Sequence, residues 1–290
     1  MRFAYLIMAH HRFDVLEELL KDLDDERNDI FLHIDKKTRK FDQNEIKTKI
    51  HKAKMYFVPR MKVYWGDYNQ ILCVNRLLEY AVNIGFHDYY HLMVGVEYPL
   101  KSQNYIYSFF EKNYGKEFIG FCITDTRNYI NRIKYYHLES KFIRNNCFIA
   151  NRWKKICGKI LNFQVKLGVN RLKHNEEYYK KGYANWSITH ELAKYIVSEF
   201  YKVHRQYKYS YCGDEVIFHT IVFNSSFYKN VFNTESEYDS VMRLTTWDND
   251  KNQMRHEDLD MLIKTDKLFA RKFDSDDAVE LVRFIKANRK

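Results

Sequence analysis

The 290-residue chain contains little of what marks disordered, disulfide-bonded or membrane-spanning proteins. Two prolines and nine glycines stand beside 24 tyrosines and 21 phenylalanines, which excludes a linker-rich chain and favours a compact globule. The five cysteines show no CxxC spacing, and their odd number leaves one unpaired in any complete disulfide scheme. No apolar run approaches the roughly 20 residues needed to cross a bilayer, and the first run is too short for a signal peptide. We therefore predict a cytoplasmic protein with reduced thiols and a single domain over residues 1–290.

Positive charge is in excess, since 48 Lys and Arg oppose 38 Asp and Glu and give a net charge of +10. This balance favours anionic partners such as phosphates, nucleic acid or an acidic membrane face, without choosing among them. Residues 139–181 carry many more basic than acidic side chains, and we interpret them as a mobile or membrane-facing insertion. One hypothesis is therefore a basic module that binds nucleic acid or anionic lipid.

The N-terminal segment has the pattern of a β-α-β unit. The apolar run 3–8 is typical of a buried parallel strand, an amphipathic helix follows from Asp14, and residues 29–34 predict a second strand. Polar side chains follow both strands, at the edge where open α/β sheets bind ligands, and there they can meet the base and ribose of a nucleotide. These side chains are His10, His11 and Asp35. The chain has no GxGxxG motif, and a surface or capping role is the alternative for each histidine.

The next elements follow from apolar runs and helix caps. Residues 42–54 have the pattern of a charged surface helix. Trp65 lies in the turn before a long amphipathic helix, where it is either a packing residue or a platform for a ligand. Ser102 and Thr189 are predicted N-caps of later helices. Further strands are predicted at 56–58, 91–94 and 118–122.

An acidic pair, Asp214 and Glu215, follows Gly213 and opens the apolar segment 216–221. A glutamate at such a helix start faces a cleft, and among aromatic rings it is poorly hydrated, which raises its pKa and suits it to act as a general base. The alternative is that Asp214 caps the helix while Glu215 complements the helix dipole.

Basic and aromatic side chains interleave after the predicted strand at 118–122. Such a surface can track single-stranded nucleic acid by stacking and charge, and the same chemistry can hold a sugar ring. Its members include Arg132, Lys134, Tyr135 and His137.

Six pieces of the chain, in order, resemble those of the core-2/I-branching β-1,6-N-acetylglucosaminyltransferases and the related peptide O-xylosyltransferases. They are Tyr5–His10 with Leu32–Asp35, Trp65-Gly66, Gly95–Lys101, Gly182–Thr189, Gly213–Glu215, and the string Leu268–Asp274. The chain departs from the family pattern at three positions. Gly213 replaces a proline, Ser187 stands where an aromatic residue follows Trp186, and Glu97 replaces an aspartate.

The resemblance implies an α/β fold of the glycosyltransferase-A type, with a Rossmann-like nucleotide-binding half and a mixed central sheet flanked by helices. Residues 1–125 are then the nucleotide-sugar half and residues 182–290 the acceptor and catalytic half. It also places the catalytic base on Glu215 and two diphosphate-binding cations on Arg243 and Lys272, so no metal cofactor is expected. Four Asp-x-Asp pairs match the motif of metal-dependent transferases, but none follows an apolar strand, and we interpret them as caps and solvated surface.

The leading hypothesis is an inverting, metal-independent transferase that moves N-acetylglucosamine from its UDP carrier to a saccharide. UDP-xylose and UDP-galactose are the alternative donors. The expected acceptor is an oligosaccharide or a lipid-linked saccharide of a bacterial surface polysaccharide, and no specific nucleic acid is expected. The chain lacks the animal-type anchor, stem and disulfides of the family, which predicts a bacterial cytoplasmic enzyme at the inner face of an anionic membrane.

Two sets of binding residues accompany this hypothesis. The donor set is His10, His11, Asp35, Trp65, Arg243 and Lys272. The acceptor set is Glu97, Arg132, Lys134, Tyr135, His137 and Trp186.

Overall fold

The computed structural model describes residues 1–122, 127–245 and 253–289, and in these ranges the chain folds around two β-sheets. The strands are β1 (Phe3–Ala9), β2 (Asn28–Ile34), β3 (Lys54–Phe57), β4 (Tyr89–Val94), β5 (Glu97–Pro99), β6 (Ser187–Thr189), β7 (Arg243–Thr245) and β8 (Phe269–Arg271). The larger sheet has the order β3-β2-β1-β4-β6, in which β6 is antiparallel to β4 and the other pairs are parallel. The smaller sheet has the order β5-β8-β7.

Helices flank the central sheet, which confirms the predicted α/β fold with a mixed central sheet. The helices are α1 (Phe13–Asp22), α2 (Gln43–Lys47), α3 (Tyr68–Ile84), α4 (Gln103–Lys112), α5 (Arg127–Lys134), α6 (Phe148–Lys166), α7 (His190–Val203), α8 (Asp214–Phe223), α9 (Glu237–Val241), α10 (Leu259–Lys264) and α11 (Ala278–Asn288). Short 3-10 turns add Ser140–Phe142, Glu176–Tyr178, His204–Tyr207, Ser226–Asn230 and His256–Asp258.

Strand β1 supplies side chains to two cores, one on each face of the central sheet. Phe3, Tyr5 and Ile7 belong to the core formed with α1 and α11, whereas Ala4 and Leu6 belong to the core formed with α3, α7 and α8. This alternation follows from the two-residue period of a strand. Burial on both faces also explains why residues 3–8 form a continuous apolar run and why residues 29–34 are mostly apolar.

The caps predicted from single residues agree with the structure. Ser102 Oγ accepts a hydrogen bond from the Tyr105 N–H at the start of α4, and Thr189 Oγ1 accepts one from the Leu192 N–H at the start of α7. Both hydroxyls satisfy a backbone N–H that has no partner inside its helix.

The predicted surface helix at 42–54 is wrong beyond Lys47, where α2 ends. The Asp24 carboxylate accepts hydrogen bonds from the backbone N–H groups of His51, Lys52 and Ala53. These N–H groups would otherwise donate within a continuing helix, so a long-range carboxylate diverts the chain toward β3.

The predicted strand at 118–122 forms only isolated bridges, with Phe118 opposite Ser187 and Phe121 opposite Gly182. The predicted insertion at 139–181 contains the 19-residue helix α6, tied to the rest of the chain by Gln164, whose side chain bonds both the N–H and the carbonyl of Tyr136. The predicted division at residue 125 lies outside the described residues.

Two predictions about the whole chain can be compared with the structure. No disulfide bond joins the five cysteines, all of which lie in the described ranges. In the described ranges, no helix combines the length and the apolar character that crossing a membrane requires.

Candidate active site

The carboxyl ends of β1 and β2 carry the three polar residues predicted to meet a nucleotide. Asp35 is buried, and its carboxylate accepts a hydrogen bond from the Lys37 backbone N–H at 2.8 Å. His10 is exposed, and its ring centroid lies 4.1 Å from that of His11. His11 Nε2 in turn lies 2.9 Å from Asp274 Oδ1. The ends of the parallel strands therefore face the segment that follows β8.

Lys272 lies in this same segment, and it forms a cluster of cations with Arg271 and Arg144. Burial lowers the pKa of its ammonium group, and the positive charges of Arg271 and Arg144 lower the pKa further, against the effect of Asp274. An anion bound between these cations would relieve their mutual repulsion. The cluster is therefore suited to a phosphate or diphosphate.

Trp65 and Tyr211 connect this cluster to the start of α8. The Arg144 guanidinium lies 4.3 Å from the centroid of the Trp65 ring, and Tyr211 packs against the same ring edge-on at 5.8 Å. The Arg132 guanidinium lies 5.6 Å from the centroid of the Tyr211 ring. Trp65 is 40% exposed, so part of its indole is open to a ligand.

Glu215 lies in the first turn of α8, where the helix dipole favours a negative charge. Its Oε2 accepts a hydrogen bond from Arg132 Nη1 at 2.9 Å, and Lys181 Nζ lies 3.7 Å away. The side chain is 29% exposed, so part of it is open to solvent. A carboxylate in this position can accept a proton from a bound hydroxyl group.

Asp214, the neighbour of Glu215, has a different environment. It is buried, and its Oδ2 accepts a hydrogen bond from Gln70 Nε2 at 2.6 Å, which joins α8 to α3. Burial raises the pKa of Asp214 well above its usual range, and the charge of Glu215 raises it further. Asp214 occupies the first position of the helix and Gly213 the N-cap, so the interpretation of Asp214 as the cap is wrong.

Gly213 stands where the family pattern has a proline, and the local packing favours a small residue. A Cβ atom at this position would lie 2.3 Å from Ser210 Oγ and 3.0 Å from Ile71 Cδ1. The approach of the chain to α8 is therefore closely packed against α3.

Arg243 and Glu97 form an ion pair in the interior, with Nε and Oε1 2.8 Å apart and both side chains 0% exposed. Glu97 and Arg243 both belong to the smaller sheet. Three further acceptors of the guanidinium belong to the larger sheet or its edge, namely Leu92 in β4, Ser187 in β6 and Trp186 just before β6. The ion pair therefore joins the two sheets. Their predicted roles require contact with a ligand, whereas the structure buries both side chains, and each neutralises the other in the core. The other acceptors of Arg243 are the carbonyl oxygens of Val241, Leu92 and Trp186 and the Ser187 hydroxyl.

Two residues of the predicted acceptor set are also packed inside the protein. Trp186 is 0% exposed and packs edge-on against Phe218, with ring centroids 6.2 Å apart. His137 is buried, and its Nδ1 lies 3.1 Å from Glu139 Oε1 while its Nε2 lies 3.0 Å from the Asn131 carbonyl oxygen. The structure therefore gives both residues structural contacts.

The rest of the acceptor set divides in two. Arg132 contacts Glu215 directly, as described above. Lys134 Nζ pairs with Glu176 Oε1 at 3.0 Å, and Tyr135 is partly buried, with its carbonyl accepting a hydrogen bond from Arg171. Arg132 is therefore the acceptor-set residue that the structure brings to the candidate base.

Three of the four Asp-x-Asp pairs lie in the described residues, and the fourth, at 248–250, lies outside them. Asp22, expected to be a cap or solvated surface residue, is buried. Asp24 bonds backbone N–H groups, as described for α2. Four of the other members form ion pairs or cap local turns: Asp22 with Arg289, Asp258 with the Arg255 N–H, Asp260 with Lys264, and Asp274 with His11.

Four charged residues near the candidate base were not predicted from the sequence: Arg144, Lys181, Arg271 and Glu237. Burial opposes the charge on Arg271, but Tyr183 and the carboxylates of Glu97 and Glu215 keep its pKa above the ordinary value. Burial raises the pKa of Glu237 as well, with Lys181 opposing this effect and Glu215 adding to it. Arg271 stands beside Lys272 in the family string, so that motif contained the signal for it. The other three come from separate segments and become neighbours only through the fold.

The fold and these side chains describe an α/β domain in which a group of cations lies near a partly exposed carboxylate that can accept a proton. The chain matches the Core-2/I-branching enzyme family over residues 3–269, nearly its whole length, and it belongs to this family. The protein is thus a glycosyltransferase of the core-2/I-branching family, as its motifs predicted. No curated protein matches the chain.

Solved structures also resemble the chain. One is the apo form of mouse xyloside xylosyltransferase 1, with a TM-score of 0.38 and 12% sequence identity. The match covers 93% of this chain and 97% of that chain.

Proposed function

We propose that the protein is an inverting glycosyltransferase that moves a sugar from a UDP-sugar to a saccharide hydroxyl, with Glu215 as the general base. The observation that carries the proposal is the position of Glu215. It lies at a helix start, is partly exposed, and is held by Arg132 and Lys181. Such contacts fix the carboxylate and leave its second oxygen, Oε1, for the acceptor hydroxyl.

In the proposed reaction, the acceptor oxygen forms a bond to the anomeric carbon of the donor while the bond from that carbon to the diphosphate oxygen breaks. The proton of the acceptor hydroxyl passes to Glu215, and the electron pair of the broken bond leaves with UDP. Attack from the face opposite the leaving group inverts the anomeric centre and gives a β linkage from an α-linked donor.

Lys272 is the proposed contact of the departing diphosphate, with Arg271 and Arg144 beside it. The lowered pKa of Lys272 reflects burial and the two neighbouring guanidinium groups, so a diphosphate would find positive charge already in place. Charge that is in place before the reaction stabilises the leaving group without rearrangement. We therefore propose that the transfer needs no metal ion and that Arg243, paired with Glu97, supports the fold.

The base and ribose of the donor are proposed to lie at the ends of β1 and β2, next to Asp35 and the histidine pair. The exposed part of Trp65 and the Tyr211 ring offer apolar faces to a sugar, and Arg132 offers hydrogen-bond donors to its hydroxyls. N-Acetylglucosamine is the proposed sugar. The proposed acceptor is an oligosaccharide or lipid-linked saccharide, as in the synthesis of a bacterial surface polysaccharide.

The test is a thermal-shift screen with UDP-N-acetylglucosamine, UDP-xylose and UDP-galactose, each with and without EDTA. A donor present at 100 times its Kd adds about 2.7 kcal/mol to the free energy of unfolding. A shift by one of these donors that persists in EDTA supports the proposal. The absence of a shift with all three donors and with UDP would refute the donor class, and a shift that requires Mg²⁺ or Mn²⁺ would refute the metal-free mechanism.

A further inference from the structure

Helix α6 presents an apolar stripe to solvent, although nothing in the fold requires one there. Ile149 is 77% exposed and Phe163 is 60% exposed, with Ile156 between them at 42%. These positions are seven residues apart, so they lie two turns apart on one side of the helix. The buried side of α6 is formed by other residues, namely Ala150, Cys157 and Gln164.

A basic stripe runs beside this apolar stripe. Arg152, Lys159 and Lys166 are also seven residues apart, each three positions after a member of the apolar stripe, and all three are exposed. The helix carries five Lys and Arg and no Asp or Glu. No acidic residue occurs from Ser140 to Asn175, so local charge on the chain itself does not neutralise the stripe.

Further apolar side chains widen this surface at both ends of the helix. Phe148 is 78% exposed at the first position of α6, and Leu167 is 64% exposed just after its last position. A surface with this much uncovered apolar area beside a basic stripe has the composition of helices that lie in the interface of a bilayer.

We propose that α6 binds an anionic lipid surface, with Ile149, Ile156 and Phe163 inserted at the level of the headgroups and Arg152, Lys159 and Lys166 at the phosphates. The charge of the helix is complementary to such a surface, and long basic side chains can keep their charged ends at the phosphates while their stems lie along apolar material. A bound nucleic acid would leave the apolar stripe exposed to water. A second copy of α6 would bring two unneutralised basic stripes together.

The position of α6 near the candidate active site indicates a function for the proposed membrane contact. Lys154 Nζ donates a hydrogen bond to the Asn145 carbonyl oxygen, and Arg144, the preceding residue, packs over Trp65 at the candidate active site. A membrane contact at α6 would thus bring the cleft near the lipid surface, where a lipid-linked acceptor is found. This last step rests on the proposed function, whereas the membrane contact itself does not.

The experiment is co-sedimentation of the full chain with phosphatidylcholine vesicles, with and without about 30% phosphatidylglycerol to supply the negative surface potential. The apolar variant is Ile149→Ser with Phe163→Ser, and the charge variant is Arg152→Gln with Lys159→Gln. All four side chains are exposed, so the fold is retained. The control is Lys112→Gln with Phe284→Ser, which removes one exposed basic and one exposed apolar side chain from other helices.

We expect binding to the anionic vesicles that weakens in high salt. The apolar variant should bind about a hundredfold more weakly, since it loses two inserted side chains that each contribute about a factor of ten. The charge variant should lose about fivefold for each charge, and the control should bind like the wild type. UDP binding in solution should be the same in all four proteins. Vesicle binding does not depend on the donor, so a failure of the donor-binding proposal would leave the vesicle result unaffected.

Three outcomes would overturn the membrane contact. One is equal vesicle binding by the wild type, both variants and the control. A second is retention of single-stranded DNA in place of vesicles, lost in the charge variant and kept in the apolar variant. A third is a dimer in light scattering that the apolar variant abolishes, with no binding of any of the proteins to vesicles.

Discussion

Replacing Arg243 by methionine separates a structural role of this residue from a role in binding the diphosphate. The family pattern assigns Arg243 to the diphosphate, whereas the structure places its guanidinium at 0% exposure against Glu97. Methionine has a similar length, so the variant removes the charge and the hydrogen bonds with little change in volume. Lys272→Met is the matched control, since it makes the same replacement at the cation that borders the cleft.

The expected loss of stability follows from what the variant leaves behind. The Glu97 carboxylate would remain buried without its guanidinium, and carbonyl oxygens in β4 and before β6 would lose a donor. Removing one partner of a buried ion pair typically costs about 3 to 5 kcal/mol. For a domain of this size, such a loss lowers Tm by roughly 10 °C. The Lys272→Met variant should unfold near the wild-type temperature.

Urea unfolding and UDP titration together measure the two roles. We expect Arg243→Met to lose stability but to bind UDP with a Kd within about twofold of the wild type at temperatures where it is folded. Lys272→Met should show the opposite pattern, with weaker UDP binding and normal stability. The double variant Glu97→Gln with Arg243→Met removes both charges and should be more stable than Arg243→Met, because no unpaired carboxylate remains inside.

A stable Arg243→Met protein that binds UDP at least tenfold more weakly would refute this reasoning. It would mean that Arg243 leaves Glu97 and contacts the diphosphate when the donor binds. A double variant that is less stable than Arg243→Met would also count against the ion pair as the source of the loss. If Arg243→Met does not fold, the double variant provides the UDP measurement.

The remaining predictions concern the base and a buried carboxyl group elsewhere. Glu215→Gln should lower turnover by about 10² to 10⁴ with UDP affinity unchanged, and near-normal turnover would remove Glu215 from the mechanism. Asp214→Asn should retain most activity, because this carboxyl group is buried against Gln70; a loss as large as that of Glu215→Gln would make Asp214 the base. Burial raises the pKa of Glu117 from 4.5 to about 7, so its contribution to stability is fully present below about pH 4.5 and is lost as the pH rises through about 7. This loss amounts to about 3 kcal/mol, and Glu117→Gln should flatten the stability profile from pH 5 to 8 in urea unfolding; an unchanged profile would contradict the assignment.

The central sheet was predictable because the hydrophobicity of its strands is visible in the sequence. Residues 3–8 are apolar throughout and residues 29–34 are mostly apolar, which happens when helices cover both faces of a parallel sheet. The smaller sheet was not predictable, because β5, β7 and β8 have three residues each and depend on partners far along the chain. Such short segments have no period of their own to detect.

The positions of candidate site residues were predictable where a residue begins a helix or follows the end of a strand. Glu215 at the start of α8 is such a residue, and so are His10 and Asp35 after their strands. Arg132 was predicted as an acceptor contact, and the structure adds its ion pair with Glu215. Lys181 was not predicted, because nothing in its own segment shows that the fold brings it beside α8.

The burial of Arg243 has a local cause that a sequence pattern alone does not reveal. Two of the three departures from the family pattern, Glu97 and Ser187, both contact this guanidinium. A serine leaves space that an aromatic side chain would fill, and a glutamate reaches one methylene further than an aspartate. Each departure taken alone resembles ordinary drift at the acceptor side. Together they build a buried site for the arginine, which leaves Lys272, with its two guanidinium neighbours, as the proposed contact of a diphosphate.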